Sequence, residues 1–177
     1  MTLHQGNADA VEQLESLARG CAVRLYYSRL VPLGRASALG GLLSRRQWGR
    51  AMHRIRALAG GGTTAVVLRD PTFRPFESRA RENARAGCVS GCAAGYNTLT
   101  IEADGAVMPC RRLGAQVGRL GRERLRDIWR QAPLLRALRD RDRLGGRCGR
   151  CSHRWICGGC RAVARAVSGD ALAEDPQ

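Results

Sequence analysis

The chain has 177 residues, of which 44% are hydrophobic, so it is long enough and apolar enough to bury a hydrophobic core. Its net charge of +15 would suit a nucleic-acid partner, but all thirty basic residues are Arg, which indicates a genome-wide codon bias rather than a phosphate-binding face. Because only eight aromatic residues occur, a base-stacking surface has little to be built from, and the composition argues against nucleic acid.

Membrane segments and leader sequences are not predicted. Residues 1–13 are polar and contain no apolar core of signal-peptide length. No stretch reaches the roughly 18 to 20 apolar residues that a membrane-spanning helix needs. We therefore expect a cytoplasmic protein without membrane contacts. In a reducing cytoplasm, paired cysteines are more often metal ligands or redox-active thiols than structural disulfides.

Two helices are predicted in the first half of the sequence. Apolar residues follow a helical period over residues 7–19 and again over residues 45–58. Ser44 and Gln47 precede the second segment in the spacing of a capping box, in which each side chain bonds the other residue's backbone N–H. We therefore expect this helix to begin directly after Ser44.

Two short strands alternate with these helices. Residues 21–27 and 63–68 are compact apolar runs typical of strands, and Cys21 is expected to be a small buried residue in the first. Helix, strand, helix, strand in this order predicts an α/β layer with parallel strands. Two strands cannot complete such a layer, because its faces and edges need cover. Either a partner supplies the remaining strands, or the chain is the later part of a larger protein.

The pattern changes after Pro71. Residues 75–85 are a polar, Arg-rich connector without a sustained apolar face, which places a domain boundary between residues 1–75 and residues 76–177. In the second domain, the Asp104-Gly105 pair lies between two short apolar runs and predicts a β-hairpin. The remaining apolar segments predict three short helices, over residues 122–131, 133–141 and 160–167.

Seven of the eight cysteines form one ordered array: Cys88, Cys92, Cys110, Cys148, Cys151, Cys157 and Cys160. The two close pairs in its second part have the spacing at which a tight turn aims both sulfur atoms at one metal centre. Seven thiolates exceed what one tetrahedral ion can use, so they imply two sites, one of which lacks a ligand. The last four cysteines by themselves suit zinc as well as iron, and the three upstream cysteines favour iron.

These motifs resemble the SPASM domain, an auxiliary-cluster domain at the C-terminus of many radical S-adenosylmethionine (SAM) enzymes. The matching pattern is Cys92, then Gly105-x4-Cys110, then Cys148-x2-Cys151-x5-Cys157-x2-Cys160. Phrases such as Arg29-Leu-Val-Pro-Leu-Gly-Arg35 and Cys157-Gly-Gly-Cys-Arg161 are similar to enzymes of haem d1 and alternative haem synthesis. They are also similar to peptide maturases of the pyrroloquinoline-quinone and mycofactocin type.

The resemblance implies a fold and two ligand sets. The first domain would be an α/β remnant that holds late strands and helices of a partial barrel. The second would be a small, cysteine-rich α+β SPASM domain with a β-hairpin and short helices. Two 4Fe–4S clusters are implied. Cluster I would be held by Cys88, Cys92, Cys110 and Cys160. Cluster II would be held by Cys148, Cys151 and Cys157.

The sequence departs from the family pattern at the fourth ligand of cluster II. In the family this ligand is a late cysteine, and none follows Cys160 here. Three explanations remain open. The coding region stops early, a carboxylate such as Asp170 or Asp175 replaces the thiolate, or one iron keeps an open position that could bind substrate.

A second departure concerns catalysis. The family binds its SAM-cleaving cluster with a Cys-x3-Cys-x2-Cys loop, and Cys88-x3-Cys92 reproduces only the first half of that motif. The chain alone is therefore not expected to cleave SAM. Enzyme activity and SAM binding would require a radical SAM core chain or a missing N-terminal half as partner.

Two functions are consistent with the sequence. The first is the SPASM-containing C-terminal portion of a radical SAM enzyme, whose auxiliary clusters support electron transfer or anchor a peptide or tetrapyrrole substrate. The alternative is a zinc-stapled basic module that binds nucleic acid or an acidic partner. Iron and sulfide content separates the two.

Overall fold

A computed structural model describes residues 1–39, 41–61, 65–85 and 90–177 of the protein. Its first half contains strands β1 (Thr2–Leu3), β2 (Arg24–Arg29) and β3 (Ala65–Leu68) and helices α1 (Val11–Ala18), α2 (Arg45–Gly61) and α3 (Ser78–Arg85). Its second half contains strands β4 (Thr100–Ile101), β5 (Ala106–Met108) and β6 (Gly118–Arg119) and helices α4 (Leu125–Gln131), α5 (Pro133–Arg139), α6 (Gly146–Arg150) and α7 (Arg161–Ser168).

The first half is built on a parallel sheet with the order β1, β2, β3. The predicted parallel layer is thus confirmed, and the additional strand β1 pairs Thr2 with Ser28. Residues alternate along β2: Leu25 and Tyr27 are buried against α1 and α2, whereas Tyr26 and Ser28 face the opposite side and remain accessible. One face of the sheet is therefore packed and the other is open around Tyr26.

Helix α2 begins where the capping box predicts. The Ser44 N–H donates to Gln47 Oε1 at 2.8 Å, and the Gln47 N–H donates to Ser44 Oγ at 3.3 Å. Trp48 and Ile55 project from α2 into the core. The predicted helix is confirmed, and it extends to Gly61.

Two boundaries in the first half differ from the prediction. The strand predicted over residues 21–27 begins at Arg24, because Ala22 has a φ of +50°, which interrupts extended backbone. Cys21 precedes that strand in a turn and is exposed, so its predicted burial is wrong. Residues 63 and 64 of the second predicted strand lie outside the described residues, and β3 covers the remainder.

The polar connector after the first domain is helical. A 3₁₀ helix covers Pro71–Phe76, with the Asp70 carboxylate capping it by accepting the Thr72 N–H at 3.0 Å, and α3 follows. The sequence did not predict this helix because residues 78–85 are mostly polar and show no helical period of apolar residues. Among the α3 side chains that the structure describes, Ala80 is buried.

The second half forms an antiparallel sheet with the order β4, β5, β6. The predicted hairpin is confirmed, since Thr100 pairs with Met108 and Asp104 Oδ1 accepts the Ala106 N–H at 3.0 Å. The three predicted short helices correspond to α4, α5 and α7, and α7 ends at Gly169, whose φ is +82°. The architecture is a small α+β arrangement, in which the origin of the parallel sheet as part of a barrel stays a prediction. Within the described ranges, no helix has the length and apolarity required to span a membrane.

Candidate metal centre

Six of the seven array cysteines lie in the described part of the chain, and Cys88 lies outside it. Cys160 is buried, Cys151 is exposed, and the others, Cys92, Cys110, Cys148 and Cys157, are partly buried. Among the described residues, no three His, Cys, Asp or Glu side chains are gathered so that they could hold one metal ion. The structural evidence for the site therefore comes from the neighbours of each sulfur atom.

Three sulfur atoms accept a hydrogen bond from the backbone two residues further along the chain. The donors are the Gly159 N–H to Cys157 at 3.3 Å, the Arg112 N–H to Cys110 at 3.5 Å and the His153 N–H to Cys151 at 3.4 Å. A tight turn after each cysteine directs its N–H toward the sulfur, which stabilises negative charge there. Hydrogen bonds of this kind also orient and tune thiolate ligands of metal centres.

The segment that contains Cys92 packs along the segment that ends at Cys157. The Ser90 N–H donates to Trp155 O at 3.2 Å, and the Cys92 N–H donates to Cys157 O at 3.1 Å. Gly91 makes this approach possible, because a Cβ there would lie 2.0 Å from the Cys157 carbonyl oxygen. The structure thus brings together two cysteines that are 65 residues apart in the sequence.

Cys110 and Cys160 share one hydrophobic cluster with Leu113 and Val163. Cys148 has different neighbours: its sulfur accepts the Asp175 N–H at 3.4 Å and lies 3.7 Å from Arg161 Nη2. Cys151 is further out, near the surface.

Burial raises the pKa of two thiols. Desolvation raises the pKa of Cys157 to about 12, although the Gly159 N–H opposes the shift. Desolvation likewise raises the pKa of Cys160 to about 11, opposed by the Arg29 guanidinium. Both thiols are therefore protonated at neutral pH without a bound metal, and coordination would release these protons.

Arg141 is a buried cation beside the cysteines. Its Nη2 donates to Cys92 O at 2.6 Å, and its guanidinium lies against Gly158, where a Cβ would be only 2.1 Å from Nη1. Its Nε and Nη1 have no hydrogen-bond partner among the described residues. Desolvation lowers its pKa, and nearby Cys92 and Cys157 partly oppose that shift. A buried guanidinium next to thiols suits a neighbouring group with anionic sulfur atoms, so the surroundings of Arg141 are compatible with an iron–sulfur cluster.

Arg161 is a second buried arginine beside the cysteines. It is fully buried, and its Nη1 donates to the carbonyl oxygens of Ala171 and Ala173 at 3.1 and 2.7 Å. Its Nε has no partner in the described ranges, and its Nη2 is the group near Cys148. Arg161 thus brings a guanidinium nitrogen within hydrogen-bonding reach of a cysteine sulfur.

The two candidate carboxylates differ in environment. Asp175 is buried, and its two oxygens accept from Arg29 at 2.9 and 2.8 Å, while Oδ2 also accepts the Cys160 N–H at 2.7 Å. Asp170 is exposed after α7, and its Oδ1 accepts the Leu172 N–H at 2.8 Å. Asp175 therefore lies next to Cys160, and both of its carboxylate oxygens already accept hydrogen bonds. A carboxylate as the fourth ligand of cluster II stays a prediction.

Arg141 and Arg29 were not identified as site residues from the sequence. Both belong to a chain with thirty basic residues, among which no local pattern distinguishes a buried arginine from an exposed one. Two arginines that lie close to the cysteines in the sequence form ion pairs near the surface, Arg154 with Asp142 and Arg147 with Glu174.

Comparisons with known proteins agree with the cysteine pattern. Residues 92–152 match the SPASM family, described as an iron–sulfur cluster-binding domain. The chain is similar to the AdoMet-dependent heme synthase of Methanosarcina barkeri, with 27% identity over 99% of this chain and 53% of that protein. It is similar to the PqqA peptide cyclase of Methylocella silvestris, with 26% identity over 98% of this chain and 47% of that protein. The pre-heme d1 synthase of Dinoroseobacter shibae is 38% identical over 49% of this chain and 22% of its own length.

These matches confirm the resemblance to radical SAM and SPASM proteins. The chain spans about half the length of the curated relatives that it matches along most of its own length.

Proposed function

From the relationship of residues 92–152 to the SPASM iron–sulfur domain, we propose that this chain binds two auxiliary 4Fe–4S clusters in a radical SAM system of cofactor or peptide maturation. Cluster I takes Cys88, Cys92, Cys110 and Cys160. Cluster II takes Cys148, Cys151 and Cys157, with Asp170, Asp175 or an open position at its fourth iron. The single structural observation that carries the proposal is Arg141, a buried cation beside Cys92 and Cys157 with two nitrogen atoms that have no partner in the part of the chain that the structure describes.

The chain's own residues supply placement and electrostatics in this proposal. A cluster with four thiolate ligands is anionic, so Arg141 and Arg161 offset its charge while the backbone N–H groups after Cys110, Cys151 and Cys157 bond the ligand sulfurs. Bound clusters supply electron transfer to or from a substrate, or an anchoring iron. Tetrapyrrole and peptide substrates are proposed from the names of the relatives.

The organisation proposed for the whole system follows the same relationship. Residues 1–75 would form part of a radical SAM partial barrel and residues 76–177 the auxiliary-cluster domain. Cleavage of SAM would depend on a Cys-x3-Cys-x2-Cys loop from a core chain or an N-terminal half, because these 177 residues do not contain that motif.

Anaerobic reconstitution with iron and sulfide tests the proposal. We expect brown protein with about eight irons and eight sulfides per chain. Cys92→Ala and Cys148→Ala should each remove about four irons, because each breaks a different cluster. Cys21→Ala is the matched control and should retain full iron, since Cys21 is exposed and outside the array. Colourless protein with one or two tightly bound zinc ions would overturn the proposal in favour of the zinc-stapled module.

A further inference from the structure

The carboxylate of Asp175 is saturated with hydrogen bonds. Its Oδ1 accepts from Arg29 Nη1 at 2.9 Å and from the Gln177 N–H at 3.1 Å. Its Oδ2 accepts from Arg29 Nη2 at 2.8 Å and from the Cys160 N–H at 2.7 Å. An ionised carboxylate offers about four lone pairs to donors, so these bonds occupy both oxygen atoms. Coordination of iron by this side chain would therefore require a buried ion pair to break.

Asp175 is hydrogen-bonded to one cysteine of each proposed ligand set. Its side chain accepts the N–H of Cys160, a proposed ligand of cluster I. Its own N–H donates at 3.4 Å to the sulfur of Cys148, a proposed ligand of cluster II. The first bond holds the backbone directly before α7, and the second stabilises negative charge on a sulfur atom. One residue thus contacts both ligand sets through groups that orient a ligand rather than coordinate metal.

The position of the Asp175 side chain is fixed by its surroundings. Asp175 is buried, and a Cβ at Gly159 would lie only 2.7 Å from its Cβ, so the two segments are closely packed. Arg29 is also buried and is held by Asp70 through Nε at 2.8 Å. Arg29, Asp70 and Asp175 carry one positive and two negative charges. Neutralising Asp175 would therefore leave a balanced pair of Arg29 and Asp70.

We propose that Asp175 is a positioning residue that aligns Cys160 and Cys148 for their clusters and does not itself bind iron. The inference rests on the proposed function, because it takes these cysteines as ligands of clusters I and II. It deepens that function in two ways. Asp175 is removed from the candidates for the fourth ligand of cluster II, and its buried charge acts on cluster I through the backbone of Cys160.

Asp175→Asn tests both parts of the proposal, because asparagine keeps the shape of the side chain and removes its charge. Each cluster is studied alone after anaerobic reconstitution, cluster I in Cys148→Ala protein and cluster II in Cys92→Ala protein. Adding Asp175→Asn to Cys92→Ala should retain about four irons per chain, since no ligand is lost. Adding it to Cys148→Ala should shift the reduction equilibrium of cluster I about tenfold toward the reduced form, because a buried anion disfavours that form. For one electron this is a rise of about 59 mV in midpoint potential.

Glu174→Gln serves as the control variant. Glu174 precedes Asp175 in the chain and forms an ion pair with Arg147 near the surface, where solvent screens its charge. The iron content and the potential of cluster I should therefore stay unchanged in this variant.

Two results would overturn the inference while the parent variants hold their expected iron, which separates its failure from that of the proposed function. One is loss of iron when Asp175→Asn is added to Cys92→Ala, which would make Asp175 a ligand. The other is a potential of cluster I that Asp175→Asn leaves unchanged. Absence of iron from the reconstituted wild type would overturn the proposed function and this inference together. A circular-dichroism spectrum equal to that of the parent verifies that each variant is folded.

A second measurement keeps Asp175 in place and applies even if Asp175→Asn does not fold. Cys92→Ala protein is labelled with ¹³C-aspartate, and reduced cluster II is studied by pulsed electron paramagnetic resonance. A carboxylate carbon bound to iron would show a strong hyperfine coupling. Absence of that coupling, or its loss in Asp170→Asn, supports the inference. A strong coupling that persists in Asp170→Asn would overturn it.

Discussion

At the scale of single residues, the buried Arg141 differs from the buried Arg29 in its partners. Arg29 has two carboxylate partners, whereas Arg141 has one carbonyl partner and two unpaired nitrogen atoms among the described residues. Burying a cation without compensation is costly, and desolvation accordingly lowers its pKa. Such a group is retained at a cost to stability when it serves an anion bound next to it.

Arg141→Met is expected to have different effects on the iron-free protein and on the cluster-loaded protein. Without clusters, the variant should be as stable as the wild type or more stable, because it removes a buried, partly unpaired cation. With clusters bound, loss of a charge-assisted contact of about 1 to 2 kcal/mol should lower a cluster midpoint potential by roughly 50 to 100 mV, measured by redox titration followed by electron paramagnetic resonance.

Arg143→Met is the matched control for this measurement, since Arg143 is exposed and lies with Arg141 in the short 3₁₀ helix Arg141–Arg143. Its cluster potentials should equal those of the wild type. Unchanged potentials in Arg141→Met would contradict the role assigned to Arg141.

At the scale of elements, the site depends on segments that have no regular secondary structure. The segment from Ser90 to Cys92 is held against the segment from Trp155 to Cys157 by backbone hydrogen bonds. Gly91 lies at the closest point and has a φ of +80°. Both its conformation and its surroundings therefore require the absence of a side chain.

Gly91→Ala is expected to cost about 3 kcal/mol or more in unfolding free energy and to lower iron retention, because its Cβ would collide with the Cys157 carbonyl. Gly121→Ala is the matched control. Gly121 has a φ of +88° but no atom within 4 Å of its would-be Cβ, so this variant should cost only about 1 kcal/mol of backbone strain. Urea unfolding measures both, and equal costs would show that packing of the two segments contributes nothing.

At the scale of the whole molecule, one buried ion network connects the parallel sheet to the C-terminal segment. Arg29 at the end of β2 donates to Asp70 through Nε at 2.8 Å and to both oxygens of Asp175. Desolvation lowers the pKa of Arg29, but the carboxylates of Asp70 and Asp175 outweigh it, so the net shift is upward and Arg29 stays charged. Because Asp175 also accepts the Cys160 N–H, this network connects the sheet to the candidate metal centre.

Arg29→Met is expected to lower the free energy of unfolding by about 3 to 5 kcal/mol, because two buried carboxylates lose their compensating cation. Arg24→Met, on the same strand but exposed, should change stability by no more than about 0.5 kcal/mol. Thermal unfolding of both variants at equal iron content checks the expectation. A small effect of Arg29→Met would mean that the two halves of the molecule are stabilised independently.

The local features of this fold were predictable because they depend on residues that are neighbours in the sequence. Ser44 and Gln47 predict the start of α2, and Asp104-Gly105 predicts the hairpin. Strands β1 and β6 were not predicted, because two residues carry no hydrophobic period. Their pairing depends on a sheet formed by distant parts of the chain.

By itself, the sequence determined the cysteine array, its spacing and its resemblance to SPASM proteins, since ligand spacing is a local property of the chain. Only the tertiary structure decided that Arg141 and Arg29 are buried and that Asp175 is engaged by Arg29. The physical reason is that burial and charge pairing depend on contacts between residues far apart in the sequence. One arginine among thirty carries no local sign of which contacts it will make.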